Sequence, residues 1–277
     1  MSGVHGGVQK LIRDQNPLAR FIPCSNHSLN LAGSHACSTT VGAVTFFGTV
    51  QRVFTSFSGS TGRWAALEAQ INIDGQGLKP KRLIDTRWNA HYKAVRALRT
   101  RLVNILDVLD DMGKDQTFSL DTRSEAISLS TAIYSFSFFA HLHYWEPILR
   151  EINIVQKAFQ QRGLGLDSTK VRVVGLERFL NESREDFANE AVREAESLCE
   201  KMGVTIEKRI PRRKMMPGEK AKDAGLTPKE EIRRQLLSSH DRLCQELSSR
   251  FDAIKSTCDI FRLIDILFTK KTTLERR

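Results

Sequence analysis

Cys24 and His27 are the first side chains in the sequence whose types and spacing could do chemistry together. They are three positions apart, where an extended segment is predicted to pass into a helix. A thiolate and an imidazole can face one metal ion, but a structural zinc needs four ligands, and no second C-x₂-C or H-x₃-H motif is present. We therefore favour a structural Cys–His pair, with neither metal nor cofactor, over a zinc site or a nucleophilic pair.

Arg87 and Trp88 form a second candidate, for nucleic-acid contact. A tryptophan can stack on a base while a neighbouring arginine contacts a phosphate. A tryptophan near the start of a helix is also typical of a core anchor. The sequence leaves both interpretations open.

A third candidate is a basic run in a predicted linker. Between residues 207 and 235, ten Lys and Arg residues outnumber five acids, which is half of the chain's formal charge of +10. Such a run predicts a nuclear-import or phosphate-contacting patch, or simply a solvated loop. Its densest part contains Lys208, Arg209, Arg212, Arg213 and Lys214.

The elements that position these candidates are predicted to be mainly α-helical. Residues 18–24 and 80–85 carry short strand patterns, and the front of the chain therefore predicts a small α/β segment. From residue 89 onwards apolar side chains recur at helical spacing, with long helices expected over 89–112, 168–202 and 228–268. Pro147 should kink or split the helix that contains it.

One stretch of the sequence tests whether the chain enters a membrane. Residues 126–145 contain no Asp, Glu, Lys or Arg, and this is about the length of a membrane span. The stretch nevertheless holds four serines, a threonine and two histidines, which are costly in hydrocarbon. We expect a buried helix and no membrane partner.

Several motifs occur in a fixed order and resemble the hAT superfamily of DNA transposases. The most similar branches are the transposase-like parts of MYM-type zinc-finger proteins and the transposon-derived repressor of the inhibitor of the protein kinase. The motifs are Met1-Ser-Gly, Gly6-Gly-Val-Gln9, Cys24-Ser-Asn-His27-Ser-Leu-Asn-Leu31, Ser60-Thr-Gly-Arg-Trp64 and the segment from Leu78-Lys79 to Thr86-Arg-Trp88-Asn-Ala.

The resemblance implies an RNase H-like core interrupted by a helical insertion domain. It predicts a partial RNase H-like segment over residues 1–88, an insertion domain over 89–206, a basic linker over 207–229 and a long C-terminal helix over 230–277. The family cuts DNA with two metal ions held by three carboxylates. Two of these belong to motifs at or before Met1 and the third to an A-E-R-x-F-S motif that is absent, so we expect a truncated chain that is not an enzyme.

Binding is the capacity that the resemblance leaves. Trp88 matches the family tryptophan that stacks on an extruded base, Arg87 would contact a phosphate, and Cys24 and His27 would be the C-x₂-H pair that supports the fold. We therefore expect a transposon-derived protein with weak, charge-driven DNA binding, located in the nucleus or the cytoplasm, with the nucleus favoured. The alternative is a helical protein-interaction module that does not bind DNA.

Overall fold

The computed structural model describes residues 6–72, 78–84, 88–206 and 225–274, without the side chains of residues 72 and 262–274. In this part of the chain every regular element is an α-helix, which confirms a mainly α fold. The helices are α1 Val8–Gln15, α2 Ser25–Cys37, α3 Val41–Ser58, α4 Thr61–Asn72, α5 Trp88–Thr100, α6 Leu102–Lys114, α7 Leu120–Ile133, α8 Phe136–Phe159, α9 Leu166–Glu182, α10 Arg184–Met202 and α11 Pro228–Leu274.

The two short strands expected from the sequence are wrong for the residues that the structure describes. Residues 18–24 are irregular, and residues 78–84 are irregular as well. A strand needs a neighbour to satisfy its backbone groups, and the apolar pattern alone supplies none. In the second segment the Leu83 amide instead donates to the side-chain Oε1 of Gln51, 2.9 Å away. The RNase H-like α/β segment thus lacks support in these residues.

Two long helices expected from the periodicity are each divided. The helix expected over 89–112 is α5 and α6, which meet at Arg101, and the helix expected over 168–202 is α9 and α10, which meet at Ser183. A one-residue break leaves the apolar stripe almost in phase, so the spacing of apolar residues does not reveal it. The described part of α11 begins at Pro228, as the sequence predicts.

The charge-free stretch and its proline also differ from simple expectation. A break at Tyr134 and Ser135 separates α7 from α8, so the stretch is shared between two helices. Pro147 lies inside α8 without splitting it, because α8 is held by buried side chains on both sides of the proline. Of the helices in the described ranges, none is long and apolar enough to cross a membrane.

Helix α8 lies at the centre of a single hydrophobic core. Its most extensive contacts are with α10 and α5, and α3 and α9 also contact it. The core includes Leu29 near the front of the chain, Trp145 in α8 and Phe251 in α11. Residues from all three expected structured segments therefore share one core.

A buried histidine fastens three helices together at this centre. The Leu180 carbonyl of α9 can only accept, so His240 donates to it from Nε2 at 2.9 Å. Its Nδ1 then accepts from the Tyr144 hydroxyl of α8 at 3.0 Å. Burial lowers the pKa of His240, which keeps the ring neutral and preserves this arrangement.

Helices α2 and α11 run antiparallel and are joined by polar contacts. His35 Nδ1 lies 2.9 Å from Glu246 Oε1, and the hydroxyls of Thr40 and Ser239 lie 3.4 Å apart. Burial raises the pKa of Glu246, but hydrogen bonds from His35 and Arg250 outweigh burial and leave it below its usual value. The carboxylate is therefore ionised at neutral pH and fixes the register of α2 on α11.

Candidate nucleic-acid interface

The outer side of α5 carries three exposed cations at three-residue spacing: Lys93, Arg96 and Arg99. We call these three residues the α5 basic face. The helix holds no acidic residue, it packs against α8, and its other side carries buried residues such as Val95 and Leu98. Successive cations are separated by about 4.5 Å along the helix axis, so they can contact neighbouring phosphates of one strand.

The three cations differ in how far the protein already uses them. Arg99 NH1 donates to Glu146 Oε2 at 2.6 Å, so this guanidinium is partly neutralised. Arg96 lies over the Tyr92 ring at 5.9 Å and donates to its hydroxyl at 3.3 Å. Lys93 has no acidic partner among the described residues. Arg96 and Lys93 are thus the members of the face that remain available to an anion.

Exposed basic residues continue in the segment that precedes α5. Lys81 and Arg82 are exposed there, while Lys79 forms an ion pair with Glu68 of α4. Glu68 also accepts from Trp64 Nε1 at 2.6 Å. The Glu68 carboxylate thus pairs with Lys79. Lys81 and Arg82 form no ion pair with an acid in the described ranges.

This basic surface was not singled out from the sequence, although a simple charge count reveals it. Residues 79–101 contain eight Lys and Arg residues and one acid, a net charge of +7 in twenty-three residues. That exceeds the net +5 of residues 207–235. Counting charge over every window, rather than looking for contiguous runs, identifies it because helical spacing separates the cations.

Trp88 lies on the inner side of α5 and is 1% exposed. Its backbone amide donates to Asn30 Oδ1 at 2.9 Å, and its ring meets the His91 ring edge-on at a centroid distance of 4.3 Å. A Cβ added at Gly33 would lie 1.4 Å from Trp88 Nε1, so the indole occupies the space that this glycine leaves. In this arrangement Trp88 is a core anchor, and a stacking role stays a prediction that requires the ring to leave the core.

Cys24 and His27 both lie at the start of α2 and are exposed. Cys24 is the residue before the first turn and makes no side-chain capping hydrogen bond. Among the described residues, no three His, Cys, Asp or Glu side chains are grouped closely enough to hold a metal ion. The structural role predicted for the pair stays a prediction.

The remaining site residues predicted from the sequence lie outside the described residues. These are Arg87 and the five cations of the basic run, Lys208, Arg209, Arg212, Arg213 and Lys214. Their predicted contacts with nucleic acid stay predictions. The α5 basic face was not among the predicted site residues, and its three side chains all lie within the described ranges.

The pKa of a half-buried histidine of α8 depends on charges from α5 and α10. Burial and, to a smaller extent, the charge of Arg99 of α5 lower the pKa of His143 to about 4, against the opposing effect of Glu190 of α10. His143 is therefore neutral at neutral pH. It therefore adds no charge to the α5 basic face. The residue is influenced by a cation of α5 and by an acid of α10.

Comparisons with known proteins identify no relative of this chain. No protein-family model matches it, and neither a curated protein nor a solved structure does. The proposed resemblance to hAT transposases therefore rests only on the order of the motifs in the sequence.

Proposed function

We propose that this chain is a transposon-derived, catalytically inactive protein that binds nucleic acid weakly through charge, with the α5 basic face as its described contact surface. The observation that carries the proposal is the pair of available cations, Lys93 and Arg96, on a helix side without acids. A sequence-independent contact of this kind is directed at phosphates.

The distribution of charge along the sequence also supports phosphate binding. Residues 79–101 and 207–235 together hold more than the chain's whole positive excess, so the rest of the chain is slightly acidic. A polyanion is attracted to such an uneven distribution even though the overall charge is moderate. The basic run over 208–214 would add a second contact and an import signal, which favours the nucleus.

The proposal includes the absence of catalysis. The family's mechanism needs three carboxylates around two metal ions, and none of the three can be assigned in the sequence. Incubating the purified chain with DNA and Mg²⁺ or Mn²⁺ should leave the DNA intact. Metal-dependent cleavage that copurifies with the chain would contradict this part of the proposal.

Charge reversal on α5 tests the binding surface. The double variant Lys93→Glu, Arg96→Glu should lower the affinity for a fluorescent 20-mer by about 10- to 100-fold near 0.1 M salt, because about two phosphate contacts are lost. Fluorescence anisotropy on single-stranded and duplex probes provides the measurement. Neither side chain is needed for the core, since both are exposed.

A matched control separates a specific surface from net charge. Lys114 of α6 and Arg172 of α9 are also exposed, and no acidic partner is found for them in the described ranges. The variant Lys114→Glu, Arg172→Glu changes the net charge by the same amount. Its affinity for the 20-mer should fall less than about threefold. Equal losses for the two double variants would contradict the assignment to α5.

A helical protein-interaction module is the second candidate function. It is favoured by one observation, the amphipathic helix α1, which exposes Val8, Leu11 and Ile12 and buries none of its residues. Docking through such apolar side chains should change little with salt, whereas phosphate binding should weaken steeply. Salt dependence of any partner that is found therefore distinguishes the two functions.

A further inference from the structure

An apolar groove lies between α9 and the C-terminal half of α11. Its volume is about 680 Å³, and its lining includes Val171, Val174, Gly175, Cys258 and Phe261. Val171 is 70% exposed and Phe261 is 59% exposed, although both are apolar. Charged residues rim it, among them Asp167 and Lys170. An exposed apolar patch with a charged rim is typical of a docking site.

The groove has an open floor and is long enough for a short helix. A Cβ added at Gly175 would meet nothing within 4 Å, so α9 leaves the middle of the groove empty. The lining of α9 extends from Asp167 to Arg178, which is about 17 Å of helix. A helix of two turns fits within that length.

Helix α1 has the complementary surface. It is eight residues long, about 12 Å, and Val8, Leu11 and Ile12 fall at i, i+3 and i+4 on one side. These three side chains are 52%, 61% and 53% exposed. One chain therefore exposes both an apolar groove and an apolar helix that is short enough to lie within it.

The chain path brings these two surfaces to the same end of the molecule. Because His35 meets Glu246 and Thr40 meets Ser239, the antiparallel register places the start of α2 beside the turn of α11 that precedes Cys258. Residues 16–24 join α1 to that point, and nine extended residues reach about 30 Å. This is enough to cross one helix, about 10 Å wide.

We propose that α1 is a strap that closes onto the α9–α11 groove of its own chain. Closure buries Val8, Leu11 and Ile12 against Val171, Val174 and Phe261, and it hides the groove from other amphipathic helices. A tether this short gives α1 an effective concentration near the millimolar range, which favours its own groove over that of a second copy. The open arrangement described above is the other state of this equilibrium.

Hydrogen exchange of the α1 amides in the full chain tests the strap. An isolated helix of eight residues is marginal in water, so an undocked α1 should exchange at nearly the rate of an unfolded peptide. Docking should slow exchange over residues 8–15 by at least about tenfold. Exchange at the unprotected rate in the wild-type chain would overturn the proposal.

Two variants with one matched control identify the occupant. Gly175→Leu fills the groove and Leu11→Asp spoils the strap, and each should return residues 8–15 to fast exchange. Gly48→Leu is the control, because Gly48 of α3 also has open space around an added Cβ and lies outside the groove. It should keep wild-type protection. Protection that survives both test variants would overturn the proposal.

The dependence of α1 protection on protein concentration distinguishes closure within one chain from exchange between two. Protection that is constant from micromolar to 100 µM, with a monomer by light scattering, supports the strap. Protection that rises with concentration together with a dimer would assign the groove to a second copy and overturn it. Leu11→Asp cannot unfold the core, since α1 buries no residue, so the test stays decisive.

Discussion

Helices α5 and α10 both pack against α8, yet they use their charges in opposite ways. The sequence of α5 carries three cations and no acid, and that of α10 carries six acids and three cations. The acids of α10 are partly neutralised by α11, since Glu185 pairs with Arg233 and Glu196 pairs with Lys229. In contrast, Lys93 and Arg96 of α5 have no acid among the described residues. The charge that is left unpaired, rather than the net charge, is what a polyanion can use.

The largest effect should come from the inner side of α5. Trp88→Ala should lower the free energy of unfolding by about 3–5 kcal/mol, because it leaves a cavity in place of a fully buried indole. Urea unfolding followed by circular dichroism measures this loss. Trp64→Ala is the control, since Trp64 is only partly buried, and it should lose less. A stable Trp88→Ala protein with impaired nucleic-acid binding would instead support base stacking.

A substitution in α2 should disturb the packing of the same indole. Gly33→Ala should destabilise the chain by about 3 kcal/mol or more, because the added methyl overlaps the Trp88 ring and overpacks the core. The same substitution at Gly175 meets open space and should stabilise α9 by about 0.5–1 kcal/mol. Thermal unfolding of both variants gives the contrast. Equal behaviour would show that Trp88 does not occupy the space beside Gly33.

Acid should lower the free energy of unfolding through buried histidines, one of which lies in α8. Burial lowers the pKa of His141 to about 4 from 6.5, with a smaller opposing effect of its hydrogen bond to the Ser137 carbonyl. The unfolded chain therefore binds the proton first, so stability is fully present above about pH 6.5 and falls as pH drops towards 4. The loss from this residue is about 3 kcal/mol. His240, whose pKa is also lowered, should act in the same direction.

Urea unfolding at several pH values measures the slope of stability against pH. His141→Phe keeps the ring that stacks on Phe46 at 5.9 Å but removes the titrating nitrogen, so its stability should fall less between pH 6.5 and 4. A wild-type slope in His141→Phe would show that His141 does not control it.

The smallest effect should come from the paired charges of α10. Glu196→Gln removes the partner of Lys229, 2.5 Å away, but Lys229 is half exposed and Glu196 is only partly buried. The loss of stability should stay below about 1 kcal/mol, and nucleic-acid affinity should not fall. Lys93→Gln should show the reverse, with unchanged stability and weaker binding. Similar profiles for these two variants would remove the distinction between α5 and α10.

Sequence patterns predicted the helical character of the chain, but they did not predict the breaks. The apolar stripe of α5 continues into α6 through Leu98, Leu102 and Ile105, so nothing in the spacing marks Arg101 as the boundary. The strand patterns at 18–24 and 80–85 failed because strand formation depends on a partner elsewhere in the chain. Local patterns carry no information about such distant pairing.

The candidate site was predictable only in part, and for a related reason. The sequence offered Trp88 both as a core anchor and as a stacking platform, and the choice depends on Gly33, fifty-five residues away. The α5 basic face was visible as charge density, but which cations remain unpaired depends on Glu146 and Glu68. Both questions are decided by tertiary contacts.

The salt dependence of binding to a 20-nucleotide probe shows whether the α5 basic face contacts phosphates. With two to four phosphate contacts, log affinity should fall against log salt with a slope of about −2 to −4, and Lys93→Gln, Arg96→Gln should reduce the magnitude by about two. The variant Glu190→Gln, Glu194→Gln on α10 should leave the slope unchanged. A wild-type slope near zero, or the same slope in the α5 variant as in the wild type, would contradict the account.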